Sequence, residues 1–194
     1  MVPPYFGPIS YWKEIVNSNI IWDVHQNYIK QSYRNRTFIH SANGIQKLTI
    51  PVNHSKIKFS MMDAEIDNKI AWQKNHWRSI QSAYSSSPFF EFYKDSLEEI
   101  YNKNHKNLVK FNFEIIKLVL EWLDIELKSE LSKEYKPHYN KTLDLRKNIE
   151  NKRFTKIENK TYTQVFSGKN GFISDLSIID LIFNEGPNSF SYLK

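Results

Sequence analysis

The chain has 194 residues, with 27 Lys and Arg, 21 Asp and Glu, and no cysteine, so its formal net charge at pH 7 is +6. Its length fits one domain with a buried core, and its hydrophobic content of 40% argues against intrinsic disorder. Without cysteine it forms no disulfide, thiolate nucleophile or cysteine-ligated zinc site. No secretory signal or run of about 18 apolar residues is present. We therefore expect one cytoplasmic domain over residues 1–194 with no membrane span.

The first predicted elements are a loop, a helix and several strands. The opening PPYFGP predicts a loop, and apolar residues at helical spacing predict a helix from Ser10 to Asn17, whose N-terminus would suit an anion. Short apolar runs of strand type follow at Ile20 to Val24 and at Lys47 to Val52, the second preceded by an Asn43-Gly44 turn. Strands are therefore expected to dominate residues 20–66.

Helical patterns follow from residue 71. In the first, one helix face carries Trp72, His76, Ile80 and either Ala83 or Tyr84. Pro88 interrupts it, and a longer helical region then carries an apolar stripe of Leu108, Phe111, Ile115, Val119 and Trp122. We interpret this stripe as structural, packed on the sheet.

The last third of the chain is less regular. Residues 126–160 are rich in lysine and predict a mobile excursion or an abbreviated subregion. An extended segment is predicted at Tyr162 to Phe166, and a helix carrying Leu176 to Ile182 is expected to end at the sequence NEGP. The fold class predicted is α/β, with a mixed sheet in the N-terminal half packed by helices and a mainly helical C-terminal half.

Positive charge is concentrated in one segment of the chain. No carboxylate occurs from Val24 to Met62, a segment that contains six basic residues: Lys30, Arg34, Arg36, Lys47, Lys56 and Lys58. Outside it, 21 basic residues face 21 acidic residues. The excess charge is therefore local, which indicates a site for an anion more than a generally basic surface.

The sequence YIKQSYRNR at Tyr28 to Arg36 lies in this segment. If residues 28–38 are extended, alternation places Lys30, Arg34 and Arg36 on one face, whereas a turn at residues 31–33 would break that alignment. Arginine binds carboxylate or phosphate as a planar fork and lysine as a point charge, so this face suits a phosphorylated or carboxylated ligand, and lysine should not replace Arg34 without loss. The alternatives are a solvated edge strand and, with less support because the footprint is small, a nucleic-acid site.

Candidate catalytic groups are histidines and a tyrosine. The six histidines show no HxH, HxxxH or HExxH spacing, so no metal site is indicated, and no cofactor motif of the P-loop or GxGxxG type occurs. His25 follows a predicted strand end, where ligand groups often project. His76 and Tyr84 share one predicted helix face and are candidates for proton transfer, although a core histidine is the simpler interpretation of His76.

Five motifs together resemble the bacterial WbqC-like family over nearly the whole chain. They are PPYFGPISYW, DVHQNYIKQSYRNR, LTIPV, WQKNHWRSIQSAYSSSPFFEFY and LSIIDLIFNEGP. The resemblance implies an association with surface-polysaccharide gene clusters and a transferase role whose reaction is not defined. The residues that match the family motifs are Tyr5, Phe6, Tyr28, Lys30, Arg34, Asn35, His76, Tyr84, Pro88 and Phe90.

The leading hypothesis is a transferase that holds an anionic, phosphorylated or nucleotide-linked substrate with Lys30, Arg34 and Arg36, while His25 or His76 moves a proton. Its rival is a non-catalytic module that binds a glycan precursor or a partner protein. The transferase hypothesis predicts that Tyr5, Tyr28, Lys30, Arg34 and His76 converge on one concave site. The motifs leave the donor, the acceptor and the oligomeric state open.

Overall fold

The structure is a computed structural model that describes residues 1–53, 58–139, 143–146, 149 and 160–194. Its helices are α1 (Ile9–Val16), α2 (Trp72–Tyr84), α3 (Phe90–Asn102), α4 (Leu108–Leu123), α5 (Ser167–Asn170) and α6 (Ile178–Glu185). Its strands are β1 (Ile20–Trp22), β2 (Arg36–Ser41), β3 (Gly44–Thr49) and β4 (Ser129–Leu131). Short 3-10 helices span Met61–Asp63 and Gly186–Tyr192.

The α/β class is confirmed, and the described strands form two separate pairs. Strands β1 and β4 are parallel, with Ile20 opposite Ser129 and Trp22 opposite Leu131. Strands β2 and β3 form an antiparallel hairpin in which Arg36 lies opposite Thr49. The predicted turn at Asn43-Gly44 closes this hairpin, because a glycine with φ of +92° fits the left-handed region there.

Helices α2 and α4 form where their apolar stripes predicted them. The stripe of α2 is buried, since Trp72, Ile80 and Tyr84 are each no more than 2% exposed. In α4, Leu108, Phe111, Ile115 and Val119 are fully buried. The long helical region expected after Pro88 is divided into α3 and α4, and Asn107 caps α4 by accepting the backbone N–H of Lys110 at 3.0 Å.

The N-terminus of α1 does receive an anion, and it comes from the chain itself. Asp175 accepts the backbone N–H and the hydroxyl of Ser10, each at 2.8 Å. A carboxylate at this position satisfies a backbone donor at the helix start and complements the helix dipole. The helix start predicted to suit an anion is therefore occupied by Asp175.

The C-terminal helix α6 also follows the sequence prediction. Its apolar residues are buried, and Phe183 packs edge-on against Tyr84 at 5.2 Å and Phe90 at 5.3 Å between ring centroids. The helix ends before Gly186, where φ is +53° and a Cβ would overlap the Phe89 ring. The predicted extended segment at Tyr162 to Phe166 forms no strand, and residues 161–164 run without regular structure.

The lysine-rich region 126–160 is described only in part. Residues 140–142, 147–148 and 150–159 lie outside the described residues, as do His54 and Lys56 near the N-terminal hairpin. Within the described part, β4 pairs with β1 and residues 143–146 contact the same edge of the molecule. In the described residues, no helix has the length and apolar character needed to cross a membrane.

Candidate functional site

The YIKQSYRNR segment is a turn followed by a strand. Gln31 has φ of +66°, the backbone N–H of Asn35 donates to the Ser32 carbonyl at 3.2 Å, and Ser32 Oγ donates to the Ile29 carbonyl at 2.8 Å. These bonds within the segment form a turn in place of strand pairing, because a serine hydroxyl can hydrogen-bond to the nearby backbone. Of the two alternatives left open for residues 28–38, the turn is the one that forms, and the chain becomes extended only from Arg36, where β2 begins.

The turn sends Lys30 and Arg34 in different directions. Lys30 is exposed, whereas Arg34 is fully buried. Arg34 Nη2 donates to Gln26 Oε1 at 2.6 Å and its Nη1 donates to Ser32 Oγ at 3.1 Å. These bonds hold the turn together from inside, so the predicted shared cationic face of Lys30, Arg34 and Arg36 does not form.

Asn35 and the α4 residue Asn112 brace the same turn. The side-chain amide of Asn35 donates to the Ile50 carbonyl at 2.8 Å and ties the turn to the chain leaving β3. Asn112 donates to the carbonyls of Arg34 at 2.8 Å and Pro3 at 3.0 Å. The turn is therefore attached to α4 and to the N-terminal loop.

Arg36 differs from Arg34 in the bonding of its guanidinium. It is half-buried at the start of β2, and within the described part of the chain no side chain or carbonyl forms a hydrogen bond or ion pair with it. Its cross-strand neighbour Thr49 has a buried hydroxyl that also lacks a partner there. Residues opposite each other on antiparallel strands share a face, so these donors lie side by side.

Tyr28 lies close enough to Arg34 and Arg36 for their charges to act on its hydroxyl. Its ring stacks on Phe59 at 5.2 Å with an interplanar angle of 11°, and its backbone N–H donates to the Phe59 carbonyl at 2.9 Å. Burial raises the pKa of Tyr28 to about 12, although the positive charges of Arg34 and Arg36 act in the opposite direction. We call Arg36, Thr49 and Tyr28 the outer arginine site.

His76 belongs to a buried chain of hydrogen bonds that begins at the Thr49 carbonyl of the outer arginine site. Its Nε2 lies 3.2 Å from the Thr49 carbonyl, which only accepts hydrogen bonds, so Nε2 carries the proton. Its Nδ1 therefore accepts from the Tyr5 hydroxyl at 2.8 Å, and Tyr5 in turn bonds to the Tyr101 hydroxyl. Burial lowers the pKa of His76 to about 4, so the ring is neutral at pH 7.

Tyr84 belongs to a second buried network, centred on Asp180 of α6. The Tyr84 hydroxyl donates to Asp180 at 2.7 Å, the Tyr162 hydroxyl at 2.6 Å, and the Gln164 amide at 2.8 Å. Burial raises the pKa of Asp180, while these donors act against the shift. Three donors on one fully buried carboxylate join α2, α6 and the segment before α5.

The remaining predicted site residues lie apart from the outer arginine site or inside the core. His25 is half-buried, and Asp23 accepts its backbone N–H at 3.1 Å, so this bond does not orient the imidazole. Tyr5 and Phe6 are fully buried, and the Phe6 carbonyl accepts from the Trp12 indole. Of the residues expected to converge, the structure therefore joins Tyr5 directly to His76.

A cavity of about 210 Å³ lies beside β1 and is bordered by Asp23, Tyr139, Asp144 and Arg146. Arg146 donates to Asp23 at 2.8 Å, to both oxygens of Asp144, and to the carbonyls of Lys136 and Pro137. These bonds use all five N–H groups of the guanidinium. The Arg146 guanidinium is therefore occupied by its own chain, and it ties Lys136, Pro137 and Asp144 to Asp23, the residue that follows β1.

Sequence reasoning missed Arg146, Asn112 and Asp180. The last two left a trace, because each is a single polar residue inside an apolar helical stretch, FNF in α4 and IIDLI in α6. Buried polar groups are nearly always hydrogen-bonded, so such residues predict an internal network. In the described residues, no cluster of His, Asp and Glu side chains is arranged to hold a metal ion.

The profile of the WbqC-like protein family matches residues 3–156 and, in an overlapping second alignment, residues 137–192. The chain belongs to this family. It is similar to the uncharacterised protein Rv1507c of Mycobacterium tuberculosis (strain ATCC 25618 / H37Rv), with 27% identity over 224 residues that cover 98% of this chain and 91% of the relative. No solved structure matches the chain.

Within the WbqC-like chain, one family motif forms the connection between α2 and α3. Ser87 Oγ donates to the Tyr84 carbonyl at 2.7 Å and closes the turn before Pro88. Phe90 then enters the core against Phe183. This part of the motif therefore positions two helices, whereas the YIKQSYRNR motif presents Arg36.

Proposed function

We propose that this WbqC-like protein is a cytoplasmic transferase that acts on an anionic substrate, phosphorylated or nucleotide-linked, in surface-polysaccharide biosynthesis or modification. One observation supports the substrate class most strongly. The Arg36 guanidinium is half-buried and, among the described residues, has no acidic or carbonyl partner. An arginine in this condition favours an oxyanion that supplies the missing hydrogen bonds.

The charge distribution supports the same substrate class. Arg36 lies in the 39-residue stretch from Val24 to Met62 that contains no carboxylate. Lys30 and Lys58 are exposed and add positive charge to this stretch. A basic surface without acids attracts an anion and orients its approach, while a fork such as Arg36 fixes it.

The first experiment is native mass spectrometry of ligands that stay bound when the protein is purified from a bacterial host. The proposal predicts that an anionic metabolite is retained by the parent and by Arg78→Gln, which removes an exposed arginine of α2. Arg36→Gln should release it. A retained ligand that is neutral, or one held equally by both variants, would contradict the proposed substrate class.

A second candidate function is a binding module that holds the same anion without changing it. The burial of His76 and Tyr84 favours it, because each proton-bearing group is already engaged by partners in the core. Incubation of the retained ligand with hydroxyl and amine acceptors separates the two functions. A transferred product supports the transferase, and stable binding without product supports the module.

A further inference from the structure

A shallow cleft lies between the end of α6, the last 3-10 helix and residues of the 161–172 segment. Its volume is about 470 Å³, and three aromatic rings border it: Tyr162, Phe172 and Tyr192. Glu185 contributes a carboxylate to the wall. We call these four residues the aromatic cleft.

The rings of the aromatic cleft are held in a fixed arrangement. Tyr162 is perpendicular to both neighbours, at 87° and 5.4 Å from Phe172 and at 78° and 5.8 Å from Tyr192. Its hydroxyl donates to the buried Asp180 at 2.6 Å, which fixes the ring against rotation out of the cleft. The arrangement is therefore set before any ligand arrives, which reduces the entropy lost on binding.

The charge in the aromatic cleft favours a cation. Aromatic faces are negative, and Glu185 adds a carboxylate to the same cleft. Burial raises the pKa of Tyr192, and the Glu185 carboxylate raises it further. The chain already places one ammonium group against a ring of the cleft, since Lys160 Nζ lies 4.6 Å from the centroid of the Tyr192 ring. Several perpendicular rings beside a carboxylate form the arrangement that recognises alkylammonium groups.

We propose that the aromatic cleft is a binding site for an alkylammonium ligand, with Lys160 as the internal cation that the ligand displaces. The site is separate from the outer arginine site, and its ligand has the opposite charge. Thr161, Thr163 and Ser167 also border the cleft and offer hydroxyls to polar atoms next to the ammonium group. The proposal does not depend on the proposed transferase activity.

The test is a calorimetric titration of the full chain at fixed ionic strength with choline and with its neutral isostere 3,3-dimethylbutan-1-ol. Choline should bind several-fold tighter than the alcohol, because only choline carries the charge that the rings and Glu185 attract. Tyr192→Leu should weaken choline binding about 2-fold to 30-fold, and Tyr192→Phe should retain most of it. Equal binding of choline and the alcohol would overturn the proposal.

Lys160→Met gives the sharpest result because its expected effect has the opposite sign. Removal of the competing internal ammonium should strengthen choline binding several-fold. Lys194→Met is the matched control, since Lys194 Nζ lies 4.7 Å from the ring of Phe190, which does not border the cleft. Absence of saturable choline binding in both the parent and Lys160→Met, or weaker binding in Lys160→Met, would overturn the proposal.

A third probe, Nα-acetyl-lysine amide, distinguishes the sources of the ammonium group. Binding as tight as that of choline indicates a primary ammonium such as a lysine side chain of a partner. Binding of choline alone indicates a methylated small molecule. Either result supports an alkylammonium site, provided that Tyr192→Leu weakens the binding that is observed.

Discussion

Two arginines that are close in sequence differ in burial and bonding: Arg34 in the turn at residues 28–35, and Arg36 in the strand that follows. Arg34 is fully buried and bonds to Gln26 and Ser32, so its charge holds the turn together. Arg36 is half-buried, and no described group hydrogen-bonds its guanidinium. The difference follows from position. Arg34 lies inside the turn, next to the side chains of Ser32 and Gln26, whereas Arg36 is the first residue of β2. A basic motif can therefore combine an arginine that stabilises the fold with one that is left for the anion that we propose as ligand.

The largest expected effect is on stability, at the inner arginine. Arg34→Ala should lower the free energy of unfolding by about 3–5 kcal/mol, because it leaves a cavity and removes the donors that satisfy Gln26 and Ser32. Arg36→Ala should lower it by less than about 1 kcal/mol. Urea unfolding of both variants checks this, and equal losses would show that the two arginines do not differ in role.

The second prediction concerns His76, which donates a hydrogen bond to the Thr49 carbonyl of the β2–β3 hairpin. Protonation of this histidine should make the stability of the protein depend on pH. Burial lowers the pKa of His76 to about 4 in the folded chain, against the ordinary 6.5 of a free histidine, so the unfolded chain binds more protons between these limits. Stability should therefore fall by about 3 kcal/mol from this group as the pH drops through that window. Parallel unfolding curves for the parent and His76→Gln would contradict this. His138→Gln, at an exposed position, is the control.

The smallest expected effect is at Lys30, on the outside of the turn. Lys30 is exposed, and a solvated point charge contributes little to a bound anion. Lys30→Gln should weaken anion binding less than about threefold. A ligand titration at two salt concentrations measures this. A loss at Lys30 as large as that at Arg36 would indicate diffuse charge and no defined arginine site.

The sequence could predict helices whose apolar residues repeat along one face over several turns. The stripes of α2 and α4 repeat over several turns, and one periodicity accounts for each of them. The segment from Tyr28 to Arg36 is too short for this, because alternation and a turn fit the same nine letters. Only the positive φ of Gln31 and the bonds of Ser32 decide between them.

The candidate site was harder to predict because its residues depend on partners distant in the chain. His76 was placed correctly on a buried face, but its role follows from Tyr5 and Thr49, 71 and 27 residues away. Arg34 and Arg36 carry the same side chain, and burial alone separates them. Residue types alone therefore could not show which of the two arginines the turn buries and which one it leaves without a partner in the described residues.

The most direct measurement is a calorimetric titration of pyrophosphate and uridine diphosphate, at fixed ionic strength, into the parent, Arg36→Lys, Arg36→Gln and Arg78→Gln. Loss of the guanidinium fork should weaken binding about 5-fold to 150-fold in both Arg36 variants, which corresponds to about 1–3 kcal/mol. Arg78→Gln should stay within about twofold of the parent. Equal losses at Arg36 and Arg78, or no binding of either probe by the parent, would contradict the assignment of Arg36 as the anion-binding residue.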